Sequence, residues 1–304
     1  MMKNNKLLRW IEICNDYKKK DFIPLIVDNE LLGAISKKRL NLFENEKKVF
    51  VFENGILNLK PQTFEDRTFE IEKIMKKWFQ QGIIKHWKNE PYRVSKEFNS
   101  KPKFLIERAA ASLLGIQKYG VHLNGFVRDE NQIKMWIGRR SATSGLFPNK
   151  LDQLVAGGLG AGFTPLETLI KECEEEANIS KQLAQQAKSV GIITYCMTSN
   201  QGNLNRDALF IYDLELPSNF VPENTDGETQ SFYLWDLEKI TKLVENTEEF
   251  KTNCNLVVID FLIRHGFITP ENTPNYLTLI QGLHGSFCNF ISLKYLNGKG
   301  KIVK

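Results

Sequence analysis

No uninterrupted apolar run in the chain approaches the roughly eighteen residues that a membrane-spanning helix needs. The longest candidate, 256–263, is broken by Asp260, so a membrane-spanning protein is not expected. The basic start of the chain is interrupted by Arg9 and Glu12 where an export signal would be apolar, and no small-residue cleavage site follows. Cysteine is sparse. Cys14, Cys173, Cys196, Cys254 and Cys288 are odd in number, lie far apart and form no CxxC pair, which fits reduced thiols in a cytoplasmic protein. The four histidines, His86, His122, His265 and His284, show neither HxxxH nor HExxH spacing, so zinc is unsupported and any metal must be held by oxygen. With 20 glycines and 10 prolines in 304 residues, collagen-like and extensively disordered chains are excluded.

What remains is a globular protein, 42% apolar and 25% charged, of a length that suggests two domains. The net charge of +5 is unevenly placed: residues 1–110 carry 23 Lys and Arg against 15 Asp and Glu, leaving the remainder slightly acidic. No nucleic-acid reader motif accompanies the basic front, which reads as a solvated surface, and no nucleic-acid partner is expected.

Residues 6–20 suggest a helix. FIPLIVDNELLGAI and KVFVFENGILNL read as strand pairs turning at Asp28-Asn29 and Asn54-Gly55. After Asp66, the spacing of Ile71, Ile74, Met75, Trp78 and Phe79 marks one face of an amphipathic helix. A further helical stretch is expected over 103–114, ending at Gly115. Beyond it, HLNGFVR, IKMWIGRR, DQLVAGGL, VGIITYCMT, ALFIYDLEL and SFYLW are strand-like, 164–178 is a helix, and two more helices precede residue 284. The pattern predicts an α/β sandwich with a mixed sheet over 111–284, after a small α+β domain over 1–110 and before a tail over 285–304.

The most informative stretch is 157–179, GGLGAGFTPLETLIKECEEEANI. A glycine-rich loop leads to Thr164 and Pro165, the residue types of an N-cap and a first helical position. Within the helix, Glu172, Glu175 and Glu176 stand at i, i+3 and i+4, so their carboxylates share a face, while Leu166, Leu169, Ile170 and Cys173 can face the core. Like charges this close repel, and a hard dication offsets the repulsion. Magnesium favours such oxygen ligands and bridges to substrate phosphates, which suggests metal-assisted attack on a diphosphate.

At this point the sequence resembles the Nudix hydrolase family, whose box reads Gly, five residues, Glu, seven residues, Arg-Glu, an apolar residue, any residue, Glu-Glu, any residue, Gly, apolar. Gly157, Glu172, Cys173, Glu175, Glu176 and Ile179 match it; Phe163, Lys171 and Asn178 replace its first Glu, its Arg and its second Gly. Lys171 keeps the positive charge without the guanidinium fork, and Asn178 tolerates the left-handed conformation expected there. GVHLNGFV, MWIGRRS, LDQLVAGGL, YDLELP, FVPENTDGE and VVIDFLIRHGFI, in this order, further resemble the Nudix subgroup associated with thiamine pyrophosphokinase, which carries an amino-terminal extension domain. The kinase itself is not evident.

The resemblance implies a Nudix α/β/α sandwich and Mg2+-dependent hydrolysis, with Mn2+ as another suitable ion, of thiamine diphosphate or its oxidised or damaged analogues to the monophosphate and phosphate. Glu172, Glu175 and Glu176 are the expected metal ligands, with the Gly157 carbonyl; one of them, or Glu228 in a loop before SFYLW, serves the attacking water, and Asp226 and Glu223 are weaker candidates. Arg139 and Arg140 offer forked donors to the diphosphate, or alternatively surface ion pairs. Lys171, with Gly158 in the loop, supports the site. Trp78, Trp87 and Tyr92 are either core or a platform for an aromatic ring, and His122 is expected to be structural. Two other functions fit the same residues: a Nudix pyrophosphatase acting on ADP-ribose or another nucleoside diphosphate derivative, and a silent Nudix fold that binds a phosphorylated ligand or a protein.

Overall fold

Two tight turns build the first sheet of the computed structural model, which describes residues 6–129 and 132–285. β1 (Phe22–Val27) and β2 (Glu30–Ser36) meet at Asp28-Asn29; β3 (Phe50–Glu53) and β4 (Ile56–Leu59) meet at Asn54-Gly55. All four turn residues have positive φ, between 51° and 78°, the twist that returns a hairpin without splaying its strands and that Asn, Asp and Gly tolerate best. Parallel pairing of β1 with β4 joins the hairpins in the order β2-β1-β4-β3.

α1 (Leu8–Cys14) is shorter than the helix expected over 6–20. Asn15 ends it by turning its own side-chain amide back onto the Ile11 carbonyl, the local competition that disfavours Asn in helices. α2 (Leu40–Glu44) follows β2, and α3 (Phe64–Gln80), capped by Thr63, buries Ile71, Ile74, Met75 and Trp78 in one cluster with Leu25, Phe43 and Leu57. Phe79, read as part of that face, is 42% exposed and leans on Trp87 instead. Trp78 is thus core. The helix expected over 103–114 is corrected: β6 (Phe104–Glu107) pairs with β5 (Pro91–Val94), and only 108–113 is helical, as a 3-10 segment. Burial of Phe104 and Ile106 on one face imposes the period of a strand on this stretch.

The second sheet has the order β11-β12-β7-β8-β13, with β10 pairing on β7 and β9 on β8. Its strands are β7 (Gln117–Asp129), β8 (Gln132–Arg140), β9 (Leu151–Asp152), β10 (Val155–Gly158), β11 (Lys188–Thr198), β12 (Leu204–Glu215) and β13 (Thr229–Asp236). It is mixed, because β12 runs parallel to β7 while the other pairs are antiparallel. α4 (Pro165–Ala177) and α5 (Lys181–Ala184) pack on Val121, Leu123 and Val155. A second apolar cluster, with Phe126, Met135, Ile137 and Ile211, takes α6 (Leu237–Asn246), α7 (Cys254–Arg264) and α8 (Tyr276–Leu283). This is the expected α/β/α sandwich, with α6 an amphipathic addition that the sequence reading passed over. α7 is apolar nearly all round and buried accordingly.

The two parts interlock. Trp10 and Cys14 of α1 belong to the cluster around α7, and Ile11 presses on Gly282 of α8. Gly115 takes φ +56° with no room for a side chain against Ala34, and the buried Arg206 of β12 donates to the carbonyls of Leu32 and Gly115. Cys14, Cys173 and Cys254 are buried free thiols, whereas Cys196 is disulfide-bonded, which its isolated position did not foretell. Among the described residues no helix is long and apolar enough to cross a membrane. The tail expected over 285–304 lies, beyond Gly285, outside the described residues.

Candidate active site

The acidic helix is anchored at both ends by its own sequence. At its start, Thr164 Oγ1 accepts from Glu167 N while Glu167 Oε2 accepts from Thr164 N at 2.8 Å, a reciprocal capping box, with Pro165 at the first helical position. At its end, Asn178 takes the left-handed conformation at φ 52° and donates through its side chain to Glu223 at 3.2 Å. Leu169 and Cys173 are buried as expected, but Leu166 is exposed. The loop that follows β12 is tied to the same helix end: Glu223 N donates to Ala177 O, and Thr225 donates to Glu175 O through both N and Oγ1. Phe163, at the box position of an acid, is 55% exposed beside Gly160.

Two of the three box acids meet the glycine bend directly. Glu176 is buried, and its Oε2 accepts from Ala156 N at 2.8 Å. Glu172 lies flat against the next residue: a Cβ built on Gly157 would strike its Cγ and Cδ and stand 2.7 Å from Oε1. Only glycine lets the carboxylate approach that close. The Gly157 carbonyl in turn crowds Gly120 of β7, 3.0 Å from where a Cβ would sit. Glu175 is more exposed and is joined to the group through Lys171, whose Nζ is 2.5 Å from Glu175 Oε2 and 3.5 Å from Glu172 Oε1. The lysine thus bridges Glu175 and Glu172.

Burial raises the Glu172 carboxyl above the usual carboxylate range; Lys171 opposes this and Glu175 adds to it. Burial also raises Glu176 well above that range, against the Ala156 hydrogen bond and helped by the charges of Glu172, Asp152 and Glu228. Three box carboxylates thus gather at the bend, with Lys171 paired to two of them. The donor set, three carboxylates and a glycine carbonyl, is all oxygen, which fits magnesium or manganese.

Glu228 sits in the exposed loop before β13. Its backbone is fixed, N to Asp226 Oδ1 at 2.8 Å and O receiving Ser141 N at 2.8 Å, and its charge reaches Glu176. Asp226 is occupied as that turn's acceptor and Glu223 as the partner of Asn178. The two arginines of β8 are engaged within the protein: Arg139 donates to Asn149 O at 2.7 Å and to Glu249, and Arg140 to Asp152, Ser144 and Leu146 O. His122 is buried, its Nδ1 2.8 Å from Gln153 Oε1.

The sequence reading missed what the amino-terminal part brings to the bend. Gly158 faces Tyr92 and Arg108: a Cβ there would strike Tyr92 Oη and lie 3.1 Å from Arg108 Cζ. Ala161 N donates to Pro91 O at 2.8 Å, Gly160 faces Glu90, and His86 borders Gly145 of the β8–β9 loop. The close approach permitted by the glycines is a signal the sequence carries, but it does not name the partner.

Comparison with known proteins adds the following. A family model described as a domain of unknown function (DUF4743) matches residues 6–118. Nudix hydrolase 20, chloroplastic, of Arabidopsis thaliana is 42% identical over 292 residues, covering 92% of this chain and 78% of that protein. Nudix hydrolase 24, chloroplastic, of the same plant is 41% identical over 288 residues, covering 93% and 78%. An uncharacterized protein of Saccharomyces cerevisiae is 38% identical over 244 residues, covering 75% and 70%.

Proposed function

Starting from the fact that the chain belongs to the Nudix hydrolase family, we propose that it hydrolyses a small-molecule diphosphate with the help of a divalent metal ion, and that thiamine diphosphate or its oxidised or damaged analogues lead the substrates. The observation that carries the hydrolase reading is the convergence of Glu172 and Glu176 on Gly157 and Ala156, with Glu175 held alongside by Lys171. The preference for thiamine diphosphate rests on the ordered motifs that resemble the thiamine-associated subgroup.

Glu172, Glu175 and Glu176, with the Gly157 carbonyl, would hold Mg2+ or Mn2+. When bound, the ion supplies Lewis-acid charge to the diphosphate oxygens. The rest falls to the chain. The glycine bend brings backbone close enough for the diphosphate to lie across it, and the capping box fixes the helix that carries the acids. Glu228, for whose carboxylate the described residues show no hydrogen-bond partner, orients water for in-line attack. Attack on the terminal phosphorus breaks the anhydride bond, and the products are the monophosphate and inorganic phosphate.

The test is a substrate panel of thiamine diphosphate, its oxidised form, ADP-ribose and nucleoside triphosphates, each with magnesium and with chelator. Magnesium-dependent phosphate release from thiamine diphosphate or its oxidised form is expected. Preference for ADP-ribose or for nucleoside triphosphates overturns the thiamine assignment while keeping the hydrolase. Inactivity throughout supports a silent binding fold.

A further inference from the structure

A diphosphate site needs cationic donors as well as a metal, and the two arginines of β8 have their guanidinium groups turned onto Asp152, Glu249 and nearby carbonyl and hydroxyl oxygens. Lys171 is taken up by Glu175 and Glu172. A different guanidinium stands over the glycine bend. Arg108, from the segment that follows β6, has its Cζ 3.1 Å from where a Cβ on Gly158 would sit, one residue from the glycine that receives Glu172.

Arg108 is held there by the amino-terminal part itself. Its Nη1 donates to Glu90 Oε2 at 2.6 Å, its backbone N donates to Glu90 O at 2.9 Å, and its Cζ lies 5.9 Å from the Tyr92 ring. Glu107 ties together the segments before β5 and after β6 by accepting from the backbone N–H groups of Lys88, Glu90 and Ala109. The side chain remains 43% exposed, and among the described residues no acceptor other than Glu90 is bonded to its guanidinium. A planar fork, oriented by a carboxylate on one edge and open on the other, is suited to the oxygens of a phosphate.

We infer that Arg108 is the substrate-binding cation of this site, gripping the diphosphate across Gly158 beside Glu172, so that the amino-terminal part supplies a substrate contact that the Nudix sandwich lacks. The inference rests on the hydrolase reading of the bend and deepens it by naming the residue that meets the anion. Tyr92 and Glu90 act as positioning residues, setting the height and the angle of the fork.

The experiment measures calorimetric binding of inorganic pyrophosphate with magnesium to wild type, Arg108→Gln, Arg108→Lys and Arg139→Gln, with thermal unfolding of each as a fold control. For whichever panel substrate is hydrolysed, KM and kcat are measured on the same proteins. Arg108→Gln is expected to bind pyrophosphate about 10- to 100-fold more weakly and to raise KM more than it lowers kcat, as loss of a charge-assisted contact predicts. Arg108→Lys should recover part of the loss, and Arg139→Gln should stay within about threefold of wild type, since its donors already serve internal acceptors. Pyrophosphate binding by Arg108→Gln within about twofold of wild type, or no binding by wild type, overturns the inference. An inactive panel with Arg108-dependent pyrophosphate binding removes the hydrolase and keeps this site; an active panel indifferent to Arg108 does the reverse.

Discussion

Among the places where the protein buries carboxylates, two treat them in opposite ways. At the glycine bend, Glu172 and Glu176 are pushed upward by burial, and the one lysine there pairs with Glu175 and Glu172 but not with Glu176. Asp152, close enough for its charge to reach Glu176, is surrounded instead by Lys251 Nζ and Arg140 Nη1, each at 3.1 Å, and accepts from the Cys254 thiol at 2.8 Å. Burial alone would raise Asp152; Lys251, His122 and Arg140 outweigh it and hold the carboxyl well below its usual range. His122, Asp152 and Cys254 have potential ligand atoms within 4.8 Å of one another, a trio whose residue types suggest a metal. Two cations already neutralise Asp152, however, so a dication there would meet positive charge rather than relieve negative charge. Asp152 is balanced by cations at contact distance, whereas among the described residues Glu176 has only the Ala156 N–H at hydrogen-bond distance.

Breaking the balanced cluster should therefore cost stability. Asp152→Ala strands Lys251 and Arg140 in the interior and is expected to destabilise the protein by about 3–5 kcal/mol, read as a fall in unfolding temperature of roughly 10 °C. The unbalanced cluster should respond the other way. Glu175→Gln is expected to lower magnesium-dependent phosphate release by about 10²- to 10³-fold with the unfolding temperature unchanged; wild-type activity in this variant would remove the acid from the site. A drop in stability with no drop in activity would merge the two clusters into one kind.

The pH dependence of stability sharpens the same contrast. His122, facing Gln153, Asp152, Lys251 and Cys254, is held neutral by burial and by the Lys251 charge, its pKa lowered from 6.5 to about 4. The unfolded chain takes up this proton near pH 6.5 and the folded one only near pH 4, so stability is intact above 6.5 and is lost as pH falls toward 4. Urea unfolding at pH 7 and pH 4 should show a smaller acid loss in His122→Gln than in wild type, by on the order of 3 kcal/mol. The smallest effect is local to the helix: Thr164→Ala removes the cap and should cost about 1 kcal/mol, detectable in the same assay at pH 7.

The bend and its helix were legible because their chemistry is local. Thr164, Pro165 and Glu167 specify a helix start within four positions, the acid spacing specifies one face, and Asn178 marks the end by the conformation it tolerates. The hairpin turns at Asp28 and Asn54 were legible for the same reason. The stretch 103–114 was misread because helical spacing competes there with a strand alternation that only pairing with β5 decides. The partners of Asp152 were invisible: Lys251 and Cys254 lie 99 and 102 residues downstream, a separation that no local pattern spans. Arg108 escaped notice likewise, since nothing in its own neighbourhood points to Gly158.

The contact of Tyr92 with Gly158 has a consequence for anyone who would take the protein apart. A single methyl group at that glycine would strike the phenol oxygen, so the fit of the two parts at this point depends on bare backbone. The halves are thus fitted like a key left in its lock: a graft that transplants the catalytic sandwich onto another scaffold must bring this tyrosine and its arginine neighbour along, or rebuild the wall that they form.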